Sequence, residues 1–289
     1  MPPSMHDAVR QPSLLDPTRS GSAPAAALAD GTGHWTGRGQ NFAVTWTRAG
    51  AEGDAAHIDS AFETMVLVLD AAVAINGDGQ RAEAPPRSIC LVPPGAWTLE
   101  LAAGATCVVL SSLAAGQSAG ASNEAAYADP DPRIAPVGAP YRPIRDADRI
   151  RILSIDKVSA SPDKPRLKML QSATMSINWV EYDGPRNRQA LSPHSHTSFE
   201  QGSLALAGDF VHHLRVEWGP DADAWQEDRH VRLGSPSLMV VPVQIIHTSE
   251  GVGPGKHLLI DVFSPPRADF IAKGWVANAG DYAAPDAAS

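Results

Sequence analysis

The chain has 289 residues, 43% hydrophobic and 19% charged, an ordinary globular mixture long enough for one large domain or two of modest size. Its formal net charge of −9 leaves no basic field to hold a phosphate backbone, which excludes nucleic acid as an expected partner. No apolar run approaches the ~18 residues a membrane helix needs, and the N-terminus shows neither a basic leader nor an apolar core. The sequence therefore predicts a cytoplasmic protein with no membrane partner.

Residues 1–30 are rich in Pro, Ser and Ala without periodicity and read as a flexible arm. From 31 to 115 the chain changes to short β-type runs, at 42–47, 65–70, 88–92, 97–101 and 106–111. Turn residues such as Asn76-Gly77-Asp78-Gly79 and Pro93-Pro94-Gly95 separate them. Cys90 and Cys107 each lie inside such a run and read as reduced core thiols, although spacing alone leaves a disulfide open. Residues 116–147 are low in pattern and rich in Ala, Gly, Pro and Asp, as a linker is. From 148 to 289 a second set of runs follows, at 167–182, 203–207, 210–218, 230–233, 238–242 and 257–263. A short helix is expected after Pro265-Pro266, and no long amphipathic helix is found. The fold class is all-β, in two halves of similar length.

The segment richest in chemistry is Pro193-His194-Ser195-His196-Thr197-Ser198-Phe199-Glu200-Gln201, joined later by Pro242-Val243-Gln244-Ile245-Ile246-His247. Residues two apart on a strand share a face, so His194 and His196 aim two imidazoles at one point. His247 ends another apolar strand that a barrel can bring back to the same place. Three imidazoles suit Zn, Fe, Ni or Cu, and a fourth amide or carboxylate ligand extends the range to Mn.

The spacing of His194, His196, Gln201, Gly208, Pro242 and His247 closely resembles the paired motifs of the cupin superfamily. The resemblance implies two cupin barrels (double-stranded β-helix, jelly-roll) in one chain, with one divalent metal, Fe, Mn, Zn or Ni, in the C-terminal barrel. It also implies the metal set His194, His196, His247 and either Glu200 or Gln201. The count to Gly208 favours Gln201, which shares its strand face with Ser203, Ala205 and Ala207, whereas Glu200 goes with Leu204 and Leu206. Cupins usually carry Gly where this chain has Gln244, so the turn before His247 is a departure. His57-Ile58-Asp59-Ser60-Ala61-Phe62-Glu63 and Pro93-Pro94-Gly95-Ala96-Trp97-Thr98 look like a worn copy of the same motifs. The N-terminal barrel is expected to hold no metal and to serve packing and a homodimer interface, with an Asp/His/Glu site as the alternative.

Other residues complete the expectations. His212 alternates with Leu214, Val216 and Trp218 and points inward, as an acid/base group, an outer-shell hydrogen bonder or a satisfied core histidine. Glu200, if it is not a ligand, is the second acid/base candidate. His213 and His230 are assigned to the surface, and Trp218 and Trp225 to a pocket mouth or the core. Asp261 is weighed as an outer-shell partner against a buried structural role. The run from Leu259 to Phe270, with Glu200-Gln201, is similar to the small single-cupin enzymes that linearise unsaturated uronates. That resemblance implies an isomerase or lyase acting on a sugar acid or keto/enol acid. An Fe(II) dioxygenase and a non-catalytic sensor, storage protein or scaffold remain as alternatives. A small-molecule substrate is the expected partner.

Overall fold

The computed structural model describes residues 11–16, 33–160 and 164–285. In the N-terminal half, a six-stranded sheet runs in the spatial order Arg151–Ser154, Ser88–Val92, Thr64–Val68, Thr106–Ser112, Phe42–Arg48, Gly33–Arg38. A four-stranded sheet, Asp54–Ser60, Gly95–Leu101, Val73–Gly77, Gln80–Ala84, completes this half. The C-terminal half repeats the plan, with a six-stranded sheet in the order Ser13–Leu15, Ser237–Val241, Gln201–Ala207, Lys256–Phe263, Ser176–Asp183, Met169–Gln171. Its smaller sheet has three strands, Arg229–Leu233, Asp209–Arg215 and Ile246–Val252. Ala268–Ala272, the one α-helix among the described residues, follows Pro265-Pro266.

The six-stranded sheets are buried on both faces, which explains their uninterrupted apolar runs. Along Thr64–Val68, Met65 and Leu67 enter the core between the halves, and Val66 and Val68 fill the inside of the N-terminal half. That shared core sets Trp35, Phe42 and Val44 against Ile177, Trp179 and Ile260. Truncating one of its aromatic residues to Ala costs about 3–5 kcal/mol.

The insides of the two halves differ. Ile58, Val66, Ile75, Trp97 and Leu99 fill the N-terminal one. Cys90 and Cys107 lie there too, buried and free, with burial pushing both thiols up to about 12. The C-terminal interior carries Gln201, Ser203, Asp261 and His212 instead, and it holds the site.

Strand pairing crosses the expected boundaries. Within the expected arm, Ser13–Leu15 pairs with Leu238–Val240 of the C-terminal half. Arg151–Ser154, assigned to the C-terminal domain, pairs with Ser88–Leu91 of the N-terminal half. Each six-stranded sheet thus has one edge covered by a strand from the other part of the chain, a common protection for an edge. The 116–147 segment is also more than a linker: Tyr127, Asp131 and Ile134 are buried, and the Ala135 N–H donates to the Ser198 carbonyl at 2.8 Å. Two smaller differences concern turns. Asn76–Gly79 closes a hairpin, with Asp78 (φ 46°) and Gly79 (φ 69°) both left-handed as its two-residue loop demands. The 167–182 run is two strands, turned back where the Ser172 N–H donates to the Met175 carbonyl at 2.9 Å.

Candidate metal centre

Two backbone segments bring the histidines together. The His194 N–H donates to the His247 carbonyl at 3.1 Å, and the His247 N–H returns to the His194 carbonyl at 2.8 Å. One turn earlier, the Gln244 N–H donates to the His196 carbonyl at 2.6 Å. Gln244 itself sits at φ 68°, the left-handed conformation a glycine would adopt without strain. Its side-chain oxygen is tied down by Arg133 Nη1 at 2.9 Å, and Arg133 is in turn held by Asp131. The turn expected to be altered therefore keeps its glycine-like backbone, with a clamp from the segment between the halves.

Local hydrogen bonds select which ring nitrogens face the centre. His194 Nδ1 donates to the Ser192 carbonyl and His247 Nδ1 to the Ile245 carbonyl, both at 2.9 Å. Each bond leaves the Nε2 lone pair free, the arrangement usual for a metal-bound imidazole. His247 Nε2 is buried without any partner. His196 Nε2 lies 3.0 Å from Gln201 Oε1, about the spacing of two ligands at right angles around one ion, given bonds of ~2.1 Å. The donor atoms of the three histidines all fall within 4.8 Å of one another, and this is the one such group among the described residues. Burial pushes His196 down to about 3 and His247 down to about 4, so both rings are neutral and can offer a lone pair. An orphaned buried nitrogen among neutral donors fits a divalent cation.

Gln201 faces this group because its strand face does. Its Nε2 donates to Ser203 Oγ and to Asp261 Oδ1, each at 3.0 Å, which turns Oε1 towards His196. Asp261 is also bound by Asn178 Nδ2 at 3.2 Å. Burial raises the Asp261 carboxyl, while Asn178 and the nearby His194 oppose that rise. Phe199 stacks on His196 with ring centroids 4.5 Å apart, and Phe263 meets the same ring edge-on at 5.7 Å. Gly208 sits at φ 84°, where a Cβ would come within 2.6 Å of the His257 ring, so the position requires glycine.

Glu200 is not part of this site. Its carboxylate points to the opposite side of the strand, accepting the Gln40 N–H at 2.6 Å and the Tyr127 hydroxyl at 3.2 Å. Strand alternation is the physical reason, since neighbours must face opposite ways. His212 does point inward: Nδ1 meets Ser249 Oγ at 2.9 Å, and Nε2 is buried without a partner. Burial pushes it down to about 3, so it stays neutral.

No family model matches the chain, and no curated protein matches it either. Among solved structures, oxalate decarboxylase from Lactobacillus farciminis, in a formate complex, is similar at TM-score 0.53 and 12% identity, over 83% of this chain and 85% of that one. AerE from Microcystis aeruginosa is similar at TM-score 0.51 and 10% identity, over 79% of this chain and 90% of that one. The fold is that of the bicupins.

Within this fold the N-terminal motifs hold register but not orientation. His57 and Thr98 are cross-strand partners, as His194 and His247 are, with His57 Nδ1 3.3 Å from Thr98 Oγ1. The inward positions, however, go to Ile58 and Trp97, and His57 and Asp59 are exposed. Glu63 turns to the C-terminal half, so the alternative Asp/His/Glu site does not form. Trp218 and Trp225 are neither core nor part of the centre. They stack on each other outside the barrel, 4.4 Å apart, with Trp218 69% exposed. His213 and His230 meet through their Nδ1 atoms at 2.8 Å, and His213 Nε2 also contacts Glu250. His257 packs against Tyr182 and bonds the Val252 carbonyl at 3.0 Å, a structural role. Arg186, not singled out from the sequence, is tied to the strand residue that holds His212, with Nη1 on the Ser249 carbonyl at 3.0 Å. Nothing in its local pattern, Pro185-Arg186-Asn187, distinguishes it from a surface residue.

Proposed function

We propose that the C-terminal half is a metal-dependent enzyme acting on a small oxygen-rich metabolite by isomerase or lyase chemistry. The observation that carries this reading is an asymmetry of burial: His194 is exposed, whereas His196, Gln201 and His247 are buried. Structural metal sites are closed on all sides, and catalytic ones keep a position open. A divalent ion there would supply Lewis-acid polarisation of a substrate carbonyl or enol oxygen.

The chain's own residues set the conditions for that chemistry. His194, His196, His247 and Gln201 would hold the ion as neutral ligands, so they would leave its positive charge undiminished. Asp261 and Ser203 orient the Gln201 amide and keep its oxygen turned inward. Phe199 and Phe263 wall the His196 side and exclude water from it. His212, neutral and with Nε2 unpartnered, is the group assigned to hydrogen-bond the substrate; a ring so hard to protonate is a poor base.

Elemental analysis of untagged protein, beside His247→Ala, tests the reading. One equivalent of a divalent metal in the wild type, lost in the variant, is expected, with metal-dependent conversion of a sugar acid or keto acid seen by NMR. Iron with substrate-dependent oxygen uptake would replace isomerisation by dioxygenation. No metal after reconstitution would overturn the enzyme reading in favour of a non-catalytic binding protein.

A further inference from the structure

Arg186 is a half-buried cation. Among the described residues no carboxylate lies within ion-pair distance of it, and its Nε is buried without a hydrogen-bond partner. Its guanidinium bonds go to neutral atoms: Nη1 donates to the Ser249 carbonyl at 3.0 Å, and Nη2 to Ser192 Oγ at a long 3.4 Å. Desolvating a guanidinium without a counter-charge costs stability, and burial indeed lowers its affinity for its proton. Arg166, exposed and with no ion pair among the described residues, lies close enough to act on it in the same direction. The Asp261 and Glu250 carboxylates offset burial and the like charge only in part, and a bound anion would relieve what remains.

The anchors of Arg186 are shared with His194 and His212. Ser192 also receives His194 Nδ1 on its carbonyl, and Ser249 also meets His212 through its hydroxyl. Across the interior, the Asp261 carboxyl feels both Arg186 and His194. The edge of the guanidinium formed by Nε and Nη2 is the one not committed to a strong bond. Two parallel N–H groups on that edge match the two oxygens of a planar carboxylate.

We propose that Arg186, assisted by Arg166, is a carboxylate-binding subsite, so that the ligand of the metal centre is a carboxylic acid whose acid group lies at Arg186. This rests on the reading of the centre as a substrate site. It requires the Ser192 hydroxyl to give way, which its 3.4 Å contact permits.

The test is a thermal-shift titration of the metal-loaded full chain with acetate, malonate, sulfate and phosphate at constant ionic strength. Wild type, Arg186→Gln, Arg186→Lys and Arg166→Gln are compared, with metal content measured on each. Acetate and malonate should stabilise the wild type, and the response should need about tenfold more anion in both Arg186 variants, because neither an amide nor an ammonium can form the fork. Arg166→Gln should weaken it less. Without added anion, the melting temperature of Arg186→Gln should stay level or rise, since an unpaired buried cation is removed. If Arg186→Gln fails to fold, Arg186→Lys decides. Equal or stronger stabilisation by sulfate and phosphate, an unchanged carboxylate response in the variants, no response in the wild type, or a lower melting temperature for both Arg186 variants in plain buffer would each overturn the proposal. An Arg186-dependent carboxylate response in protein that never takes up metal would leave this subsite standing and remove the proposed enzyme.

Discussion

Glu63 and Glu200 occupy matching places in the two halves, each just before a central strand of its six-stranded sheet, and each takes a tyrosine hydroxyl from outside its own half. Glu63 accepts the Tyr282 hydroxyl at 2.7 Å, the Ala173 N–H at 2.8 Å and an ion pair from Arg151. Glu200 accepts the Tyr127 hydroxyl at 3.2 Å and the Gln40 N–H at 2.6 Å. The carboxylate that a cupin motif offers as a ligand is here a tie between halves.

Exchanging the neighbours Glu200 and Gln201 therefore separates stability from metal binding. Glu200→Ala leaves buried donors unpaired and should cost about 1–3 kcal/mol in urea unfolding while metal content holds. Gln201→Ala should weaken metal affinity by about 10–100-fold, measured by competition with a chelator, beside whatever stability it loses by taking the amide from Asp261 and Ser203. Equal effects on both quantities in both variants would contradict the assignment.

Metal removal should lower the melting temperature, because an ion bound only by the folded chain stabilises it by mass action. His194→Ala should abolish that difference between chelator-treated and reloaded protein. A shift that persists in this variant would place the ion elsewhere.

Stability should fall in acid through Glu181. Hydrogen bonds from Arg87 hold its carboxyl down to about 2 despite burial, and Lys256 adds to them. The folded value lies below the ~4.3 of an unfolded glutamate, so the contribution is complete above that pH and disappears as pH falls towards 2. Urea midpoints followed from pH 6 to pH 2 should drop across this window, and Arg87→Ala should flatten the drop.

Gln244 gives a test of the turn that carries His247. Gln244→Gly removes left-handed strain of ~1–2 kcal/mol but adds chain entropy and frees Arg133, so net stability should change by less than about 1 kcal/mol. Gln244→Val, branched at Cβ, should lose more than that and lower metal affinity as well, read by the same chelator competition.

Strand positions were legible wherever a run was bounded by Gly, Pro or Asp; Ser88–Val92 appears with the bounds its residues suggested. Alternation along Gln201–Ala207 also separated Gln201 from Glu200, because only one face of that strand meets small residues. The Glu200 carboxylate was nevertheless kept as an acid/base candidate, and its true partners, Gln40 and Tyr127, are too remote in sequence for any local pattern to reveal. The same holds for Ser13–Leu15, three residues with no periodicity to read, whose pairing depends wholly on a distant edge. Arg186 was missed because burial without a counter-charge is a property of the folded interior.

The pairing of Ser13 with Val240 sets an order of events during synthesis. The first strand leaves the ribosome long before its partner exists, at ~5–20 residues per second a wait on the order of ten seconds or more. Until then the nascent chain carries an unmatched strand, and the opposite sheet, once made, has an open edge waiting for it. Closure of this edge is therefore a late step, set by translation as much as by diffusion, and slowing elongation near the codons for Ser237–Val241 would lengthen the exposed interval.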